Sequence, residues 1–298
     1  MNIDHRYTFA LRNVLENGYT YEDPNRKGVT RKEVPLIVIS NQAEEGFPAI
    51  TVRRSYFQPA VGELLAFLKG KSDIREFWKL GVNFWDSDFA RHHNLTVEEL
   101  SEVKSAFLKT KYMKGSKVAY TLGKIYPTQY AKQYHIFDLF KANPLRTDLV
   151  VDMWQVTDLP TMALKPCHFA FQIVGSPNGF HIHWVQRSTD LLLGTPMNIQ
   201  YYYLLGMLLQ AWSGHPFLGV IGFLNKAHLY DNQIETAQRI LEVDKGEYAD
   251  NITATIKFNP KWTELSFKEF IRKIKPHHFK INNYQYVLDE KVEMLTYK

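Results

Sequence analysis

A single cysteine, Cys167, is all the thiol chemistry that the 298 residues contain. No disulfide can close within the chain, and no cysteine-rich zinc site can form. Long apolar runs are missing too: no uncharged stretch comes near the ~20 residues that span a bilayer. The first residues, MNIDHRYTFALRN, lack the charged-then-apolar order of a secretory signal. The Asn-x-Thr sequons at Asn94 and Asn251 therefore carry no weight, and a cytoplasmic protein without a membrane partner is expected. An excess of one charge is scarce: 36 Lys and Arg stand against 31 Asp and Glu, a formal net charge of +5. The cations are interspersed with acids, which argues against a segment that wraps nucleic acid. A pocket for one small phosphate needs only about three or four of them. Internal repeats, low-complexity stretches and long linkers are also lacking.

What the chain does have is hydrophobic residues at 45% and aromatics at 14%, enough for a large core and too many for disorder. Tyr7 to Glu16 reads as a short amphipathic helix, followed by a polar turn and the β-branched run VPLIVIS, a strand. Pro59 to Gly70 reads as a helix opened by proline and closed by glycine. Thr96 and Glu99 form a capping-box pattern ahead of a helix to about Leu108. Asp148 to Trp154, Phe169 to Val174 and Phe180 to Val185 read as strands. Ile199 to Trp212 is apolar nearly all round, which predicts a buried helix. Gln233 to Val243 and Ser266 to Ile274 read as helices, with Ile252 to Phe258 a strand between them. Helices and strands mix without regular alternation, which predicts an α+β fold over a doubly wound sheet.

Several residues could do chemistry, and each has a plainer alternative. Cys167, in LKPCHFAF, stands where a loop becomes a strand. It is either a small buried hydrophobe or a nucleophile whose pKa is lowered by nearby cations such as Arg187. In QRSTDLLLGTPMN, Arg187 and Ser188 suit a phosphate, and Asp190 can accept from ring N–H groups. Asn198 offers the donor–acceptor pair that reads the O4 and N3–H edge of uracil. The same stretch also reads as an ordinary polar loop entering a helix. Glu63 is either solvated on the outer face of its helix or buried with a raised pKa. His228 and Tyr230 alternate as on a strand and point one way. Tyr126 and Trp85 alone read as core aromatics.

In order, these segments resemble the thymidylate synthase family from about residue 10 onward. NRKG resembles its phosphate-loop arginine motif, and GFPAITVRRSYFQPAVGELLAFLKG the stretch bearing its catalytic glutamate. NFWD, LGKIYPTQY, MALKPCH, QRSTDLLLGTPMN, AHLYDN and KVEML follow in the family's order. The MALKPCH and QRSTDLLLGTPMN segments are the specific ones.

The resemblance implies a large bent mixed sheet flanked by helices. It implies one domain over residues 1–298, with about 85–130 as a smaller appendage, and homodimers joined sheet to sheet. It implies that Cys167 adds to C6 of dUMP, beside His168, while Asn198 holds the uracil. Glu63 and Tyr126 would manage proton transfers. Arg26, Arg187 and Ser188 would bind the nucleotide's phosphate and His228 and Tyr230 its ribose, with Gln186 also among the residues that bind dUMP. Trp85, Leu164, Asp190, Leu193, Gly194 and Met197, with Glu63, would face 5,10-methylenetetrahydrofolate, and no metal is implied. Thr147 and Asp148 replace an arginine pair usual in the family, with Arg146 one residue early. Leu224, Asn225 and Lys226 replace Gly-Gly-Asp, and Thr296 to Lys298 run past the usual end. The last two differences tilt the expected product toward 5-hydroxymethyl-dUMP, with dTMP as the alternative. A catalytically inactive relative that binds a nucleotide or partner is a third reading.

Overall fold

The structure, a computed structural model, describes residues 2–24, 26–110, 132–157, 159–162, 164–246, 248 and 251–289. Its centre is a mixed sheet with β1 (Tyr19–Glu22), β2 (Thr30–Gln42), β7 (Phe217–Tyr230), β5 (Gly179–Gln186), β4 (His168–Ser176) and β3 (Val150–Asp152) in that spatial order. A short β6 (Thr189–Asp190) pairs with the end of β7. The β5–β7 and β6–β7 pairings are parallel and the others antiparallel. The expected α+β class with a mixed sheet is what the chain adopts.

Alternation along the strands sends Phe171, Ile173, Ile182, Trp184, Val220 and Leu224 to one face, where all are buried. Helix α7 (Thr195–Ser213) packs on that face against β5 and β7, and against α2 (Phe57–Leu68). Pro196 lies in the first turn of α7, where its missing N–H costs nothing. Gly214 ends the helix at φ 84°, a left-handed cap. The helix is buried nearly all round because sheet and α2 enclose it. Helix α1 (Ile3–Asn17) packs on β2. The capping box expected from sequence forms: Thr96 N donates to Glu99 Oε2 at 2.7 Å, and Glu99 N to Thr96 Oγ1 at 3.1 Å. No described helix is long and apolar enough to cross a membrane.

The other sheet face leaves Leu36 and Val38 exposed, with His181, His183, Ile221 and Phe223 half-buried.

Trp184 stacks on Tyr202 with centroids 4.8 Å apart at 15°. A Cβ on Gly222 would lie 2.2 Å from the Trp184 ring, so this site on β7 has room only for glycine. Gly222→Ala is expected to destabilise the protein by about 1–3 kcal/mol, the usual cost of overpacking, read as a lower urea midpoint.

Candidate active site

Glu63 is dictated by its helix to face inward. Helix α2 starts at Phe57, two residues before the expected opening at Pro59, and ten of its twelve residues are buried, Glu63 among them at 3% exposure. The solvated alternative is therefore excluded. Trp85 Nε1 donates to Glu63 Oε1 at 3.0 Å. Burial outweighs that bond and pushes the carboxyl up to about 8, so it is protonated at neutral pH. Trp85 is itself buried at the entry of helix α4 (Asp86–His92). Its neighbour Asp86 fixes the segment by accepting from Trp78 Nε1 at 2.7 Å and Lys104 Nζ at 2.6 Å.

Cys167 ends the loop that enters β4. Its carbonyl accepts from Arg187 N at 2.8 Å. The Arg187 guanidinium braces the same loop, donating to the carbonyls of Pro166 at 2.8 Å and Lys165 at 2.9 Å. Cys167 as a residue is half-buried. Arg187 and Arg26 pull its pKa down, and Asp88 and Asp190 push it up, but burial is the largest influence and the net shift is upward. The expectation of a lowered thiol pKa is thus corrected, because the cations only partly offset the cost of a buried thiolate. His168 is buried. Its Nδ1 lies 2.8 Å from Tyr202 Oη, and burial lowers its pKa to about 3, so the ring is neutral. Phe67, one turn after Glu63, has its ring centroid 6.2 Å from His168 and 6.3 Å from Trp85. The helix that carries Glu63 therefore lies against Trp85 and against His168, the residue that follows Cys167 in the chain.

Asn198 and Tyr202 are one turn apart on α7, so they lie on one face. The Asn198 amide is half-buried at the start of that helix. Asp190 Oδ1 accepts from the backbone N of Leu192 and Leu193 at 2.9 and 2.8 Å, and its Oδ2 from Gln233 Nε2 at 2.9 Å. This carboxylate builds the turn that leads through Gly194 into α7. Gln186 is buried and accepts from Trp184 Nε1 at 3.0 Å. Ser188, Leu164, Leu193 and Met197 are half-buried.

Arg26 places its guanidinium 4.3 Å from the centre of the Tyr230 ring, and its charge acts on both Cys167 and Asp88. His228 pairs with Asp190 in the β6–β7 ladder. His228 Nδ1 is 2.7 Å from the Lys226 carbonyl. A carbonyl only accepts, so Nδ1 carries the proton and Nε2 is left as an acceptor. That Nε2 is buried and has no partner among the described residues. A buried acceptor without a partner calls for an explanation; the ring lies 4.8 Å from that of Tyr230, the ring over which Arg26 sits.

The family model for thymidylate synthase matches residues 5–296. The chain belongs to the thymidylate synthase family. It is 30% identical over 240 residues to the thymidylate synthase of Symbiobacterium thermophilum, covering 79% of this chain and 82% of that one. Its identity to the thymidylate synthase of Phytoplasma mali is 31% over 248 residues, covering 78% and 83%. The crystal structure of thymidylate synthase from T4 phage superposes with a TM-score of 0.81 at 24% identity, over 97% of this chain and 98% of that one, a likeness of fold. Members of this family are enzymes that transfer a one-carbon unit from methylenetetrahydrofolate to C5 of dUMP, and the chain is an enzyme of that class.

Set against the thymidylate synthase family, two differences take on definite form. Where an arginine pair is usual, Asp148 here accepts from its neighbour Arg146, Nε at 2.9 Å and Nη2 at 2.5 Å. Arg146 is thus neutralised locally, and it holds the Asp148 carboxyl below its usual range. Lys226 lies 3.0 Å from Glu33 Oε1, so its charge is also matched within the chain. Tyr126 lies outside the described residues. Sequence reasoning missed Asp88, Tyr202 and Gln233. Tyr202 had a readable signal, the four-residue spacing from Asn198; Asp88 and Gln233 had none.

Proposed function

We propose that this enzyme makes dTMP from dUMP with Cys167 as the nucleophile. The observation that carries the reading is the protonated, buried Glu63 held by Trp85, on a helix packed against the histidine that follows Cys167. Cys167 Sγ forms a bond to C6, and the ring's electron pair moves toward C5 and O4. Asn198 orients the uracil edge, and Glu63 and Tyr126 handle the protons that this charge movement requires. Arg26, Arg187 and Ser188 hold the phosphate, Gln186 supports that end, and His228 Nε2 accepts from the ribose hydroxyl beside Tyr230. Methylenetetrahydrofolate supplies the carbon and then the hydride, leaving dihydrofolate; C5 gives up its proton and the Cys167–C6 bond breaks, which frees dTMP and restores the thiolate. Trp85, Leu164, Asp190, Leu193, Gly194 and Met197 form the wall on its side. His168, neutral and bonded to Tyr202, steadies the loop that carries the thiol.

The hydroxymethyl outcome requires water to reach C5's new methylene. A buried acid under a tryptophan argues for exclusion of water at this wall. The Lys226 difference bears on an ion pair with Glu33 and not on wetness. A homodimer formed through the sheet face with Leu36, Val38, Ile221 and Phe223, in the cytoplasm, completes the reading.

Product mass decides the fate. With dUMP and methylenetetrahydrofolate, the expected nucleotide is heavier than dUMP by one CH2 group, formed together with dihydrofolate. A nucleotide heavier by CH2O, with tetrahydrofolate regenerated, would establish the hydroxymethylase instead.

A further inference from the structure

His228 can accept from a sugar hydroxyl only while its proton stays on Nδ1, and the group that holds it there is the carbonyl of Lys226. Lys226 has a backbone conformation that residues with side chains rarely adopt, φ 48°. It also falls at an interruption of the ladder: Val34 pairs with Ala227 and Leu36 with Asn225, while Pro35 and Lys226 between them do not pair. The β2 ladder therefore skips this residue, while the short β6 ladder begins at its neighbour Ala227 on the other side of β7, and the Lys226 side chain adds a hold on the β2 side. Lys226 Nζ meets Glu33 Oε1 at 3.0 Å.

Glu33 is 0% exposed and is the ladder partner of His228, so the two side chains share a face. Its carboxylate also accepts from Tyr19 Oη and Tyr21 Oη, each at 2.8 Å, and lies 2.7 Å from Arg31 Nη2. Arg31 Nη1 continues to Asp23 Oδ2 at 3.3 Å, and the Asp23 carbonyl accepts from Arg26 N at 3.0 Å. One buried carboxylate thus links the strand that carries His228 to the turn that carries Arg26.

We propose that Glu33 and Lys226 are positioning residues for nucleotide binding: their ion pair holds the left-handed backbone at Lys226, which aims its carbonyl at His228 Nδ1–H and so presents Nε2 as an acceptor. This rests on the role given to His228 above. Neither residue is assigned a contact with the nucleotide.

Lys226→Met keeps the side chain's bulk and removes its charge. KM for dUMP is expected to rise about fivefold, the worth of one neutral hydrogen bond, with kcat close to wild type. Nitrogen NMR is expected to show His228 passing from the single Nδ1–H form to a mixture of tautomers, and Lys226→Arg to restore both readouts. Glu33→Gln is expected to match the methionine variant; should it not fold, the half-exposed Lys226 still carries the test. His228→Asn separates the two levels. If that variant leaves KM for dUMP unchanged, the role of His228 itself is wrong. If it raises KM while Lys226→Met alters neither KM nor tautomer, this inference alone is overturned.

Discussion

Cys167→Ser is expected to lower turnover by roughly 10⁴-fold or more, the scale of removing a covalent nucleophile. A serine hydroxyl is far harder to ionise than a thiol, and the site does not compensate. Even the native thiol is pushed upward by burial, with Arg187 and Arg26 recovering only part of the cost. The guanidinium of Arg187 is engaged with the carbonyls of Lys165 and Pro166, so it braces the loop as much as it polarises the sulfur. The same variant is expected to fold and to bind dUMP. With 5-fluoro-dUMP and methylenetetrahydrofolate, intact-mass measurement should find a covalent ternary adduct on the native protein and none on the serine variant. Retained turnover in the variant would remove the nucleophile from the mechanism.

Glu63→Gln carries the second large effect, and it separates activity from stability. Loss of the proton-handling carboxyl is expected to lower kcat by about 10²–10⁴-fold. Stability should move the other way. The folded-state pKa of Glu63 is raised from 4.5 to about 8, so between those values the native state binds a proton that the unfolded state has released. Stability from this group is complete below pH 4.5 and is lost as the pH rises toward 8. A shift of that size corresponds to on the order of 3–5 kcal/mol at pH 8. Glutamine has no charge to bury and keeps the bond from Trp85 Nε1. Urea melts are therefore expected to show the variant more stable than the native protein at pH 8, with the gap closing toward pH 5. Equal stability at both values would mean that Glu63 is ionised in the native protein.

Local patterns in the chain announced much of this. Apolar residues on every side of Ile199 to Trp212 announced a buried helix. Thr96 and Glu99 announced a helix start, and the box at Ser266 and Glu269 follows the same pattern. The strand Phe217–Tyr230 did not announce itself beyond His228 and Tyr230, although it lies in the middle of the sheet. Its glycines read as breakers, and burial along both faces at its His228 end erases alternation. Gly222 is explained only by the Trp184 ring, which no local pattern in FLGVIGF reveals. At the site, Cys167, Arg187 and Asn198 were readable as residue types in a suggestive order. The inward direction of Glu63 and the upward shift of the thiol were not, because both depend on what the rest of the chain places around them. The charges of Arg146 and Lys226 read as available from sequence; neighbours, one in the chain and one across strands, consume them.

Asn198 and Tyr202 are carried one turn apart on the same nineteen-residue rod. The amide proposed to read the base and the hydroxyl that steadies the histidine beside the sulfur thus share a single ruler. A slide of that rod by a fraction of an ångström would miscalibrate recognition and reactivity together. Substitutions deep along it, at Leu205 or Leu209, should therefore shift KM and kcat in concert, though both leucines are buried in the core.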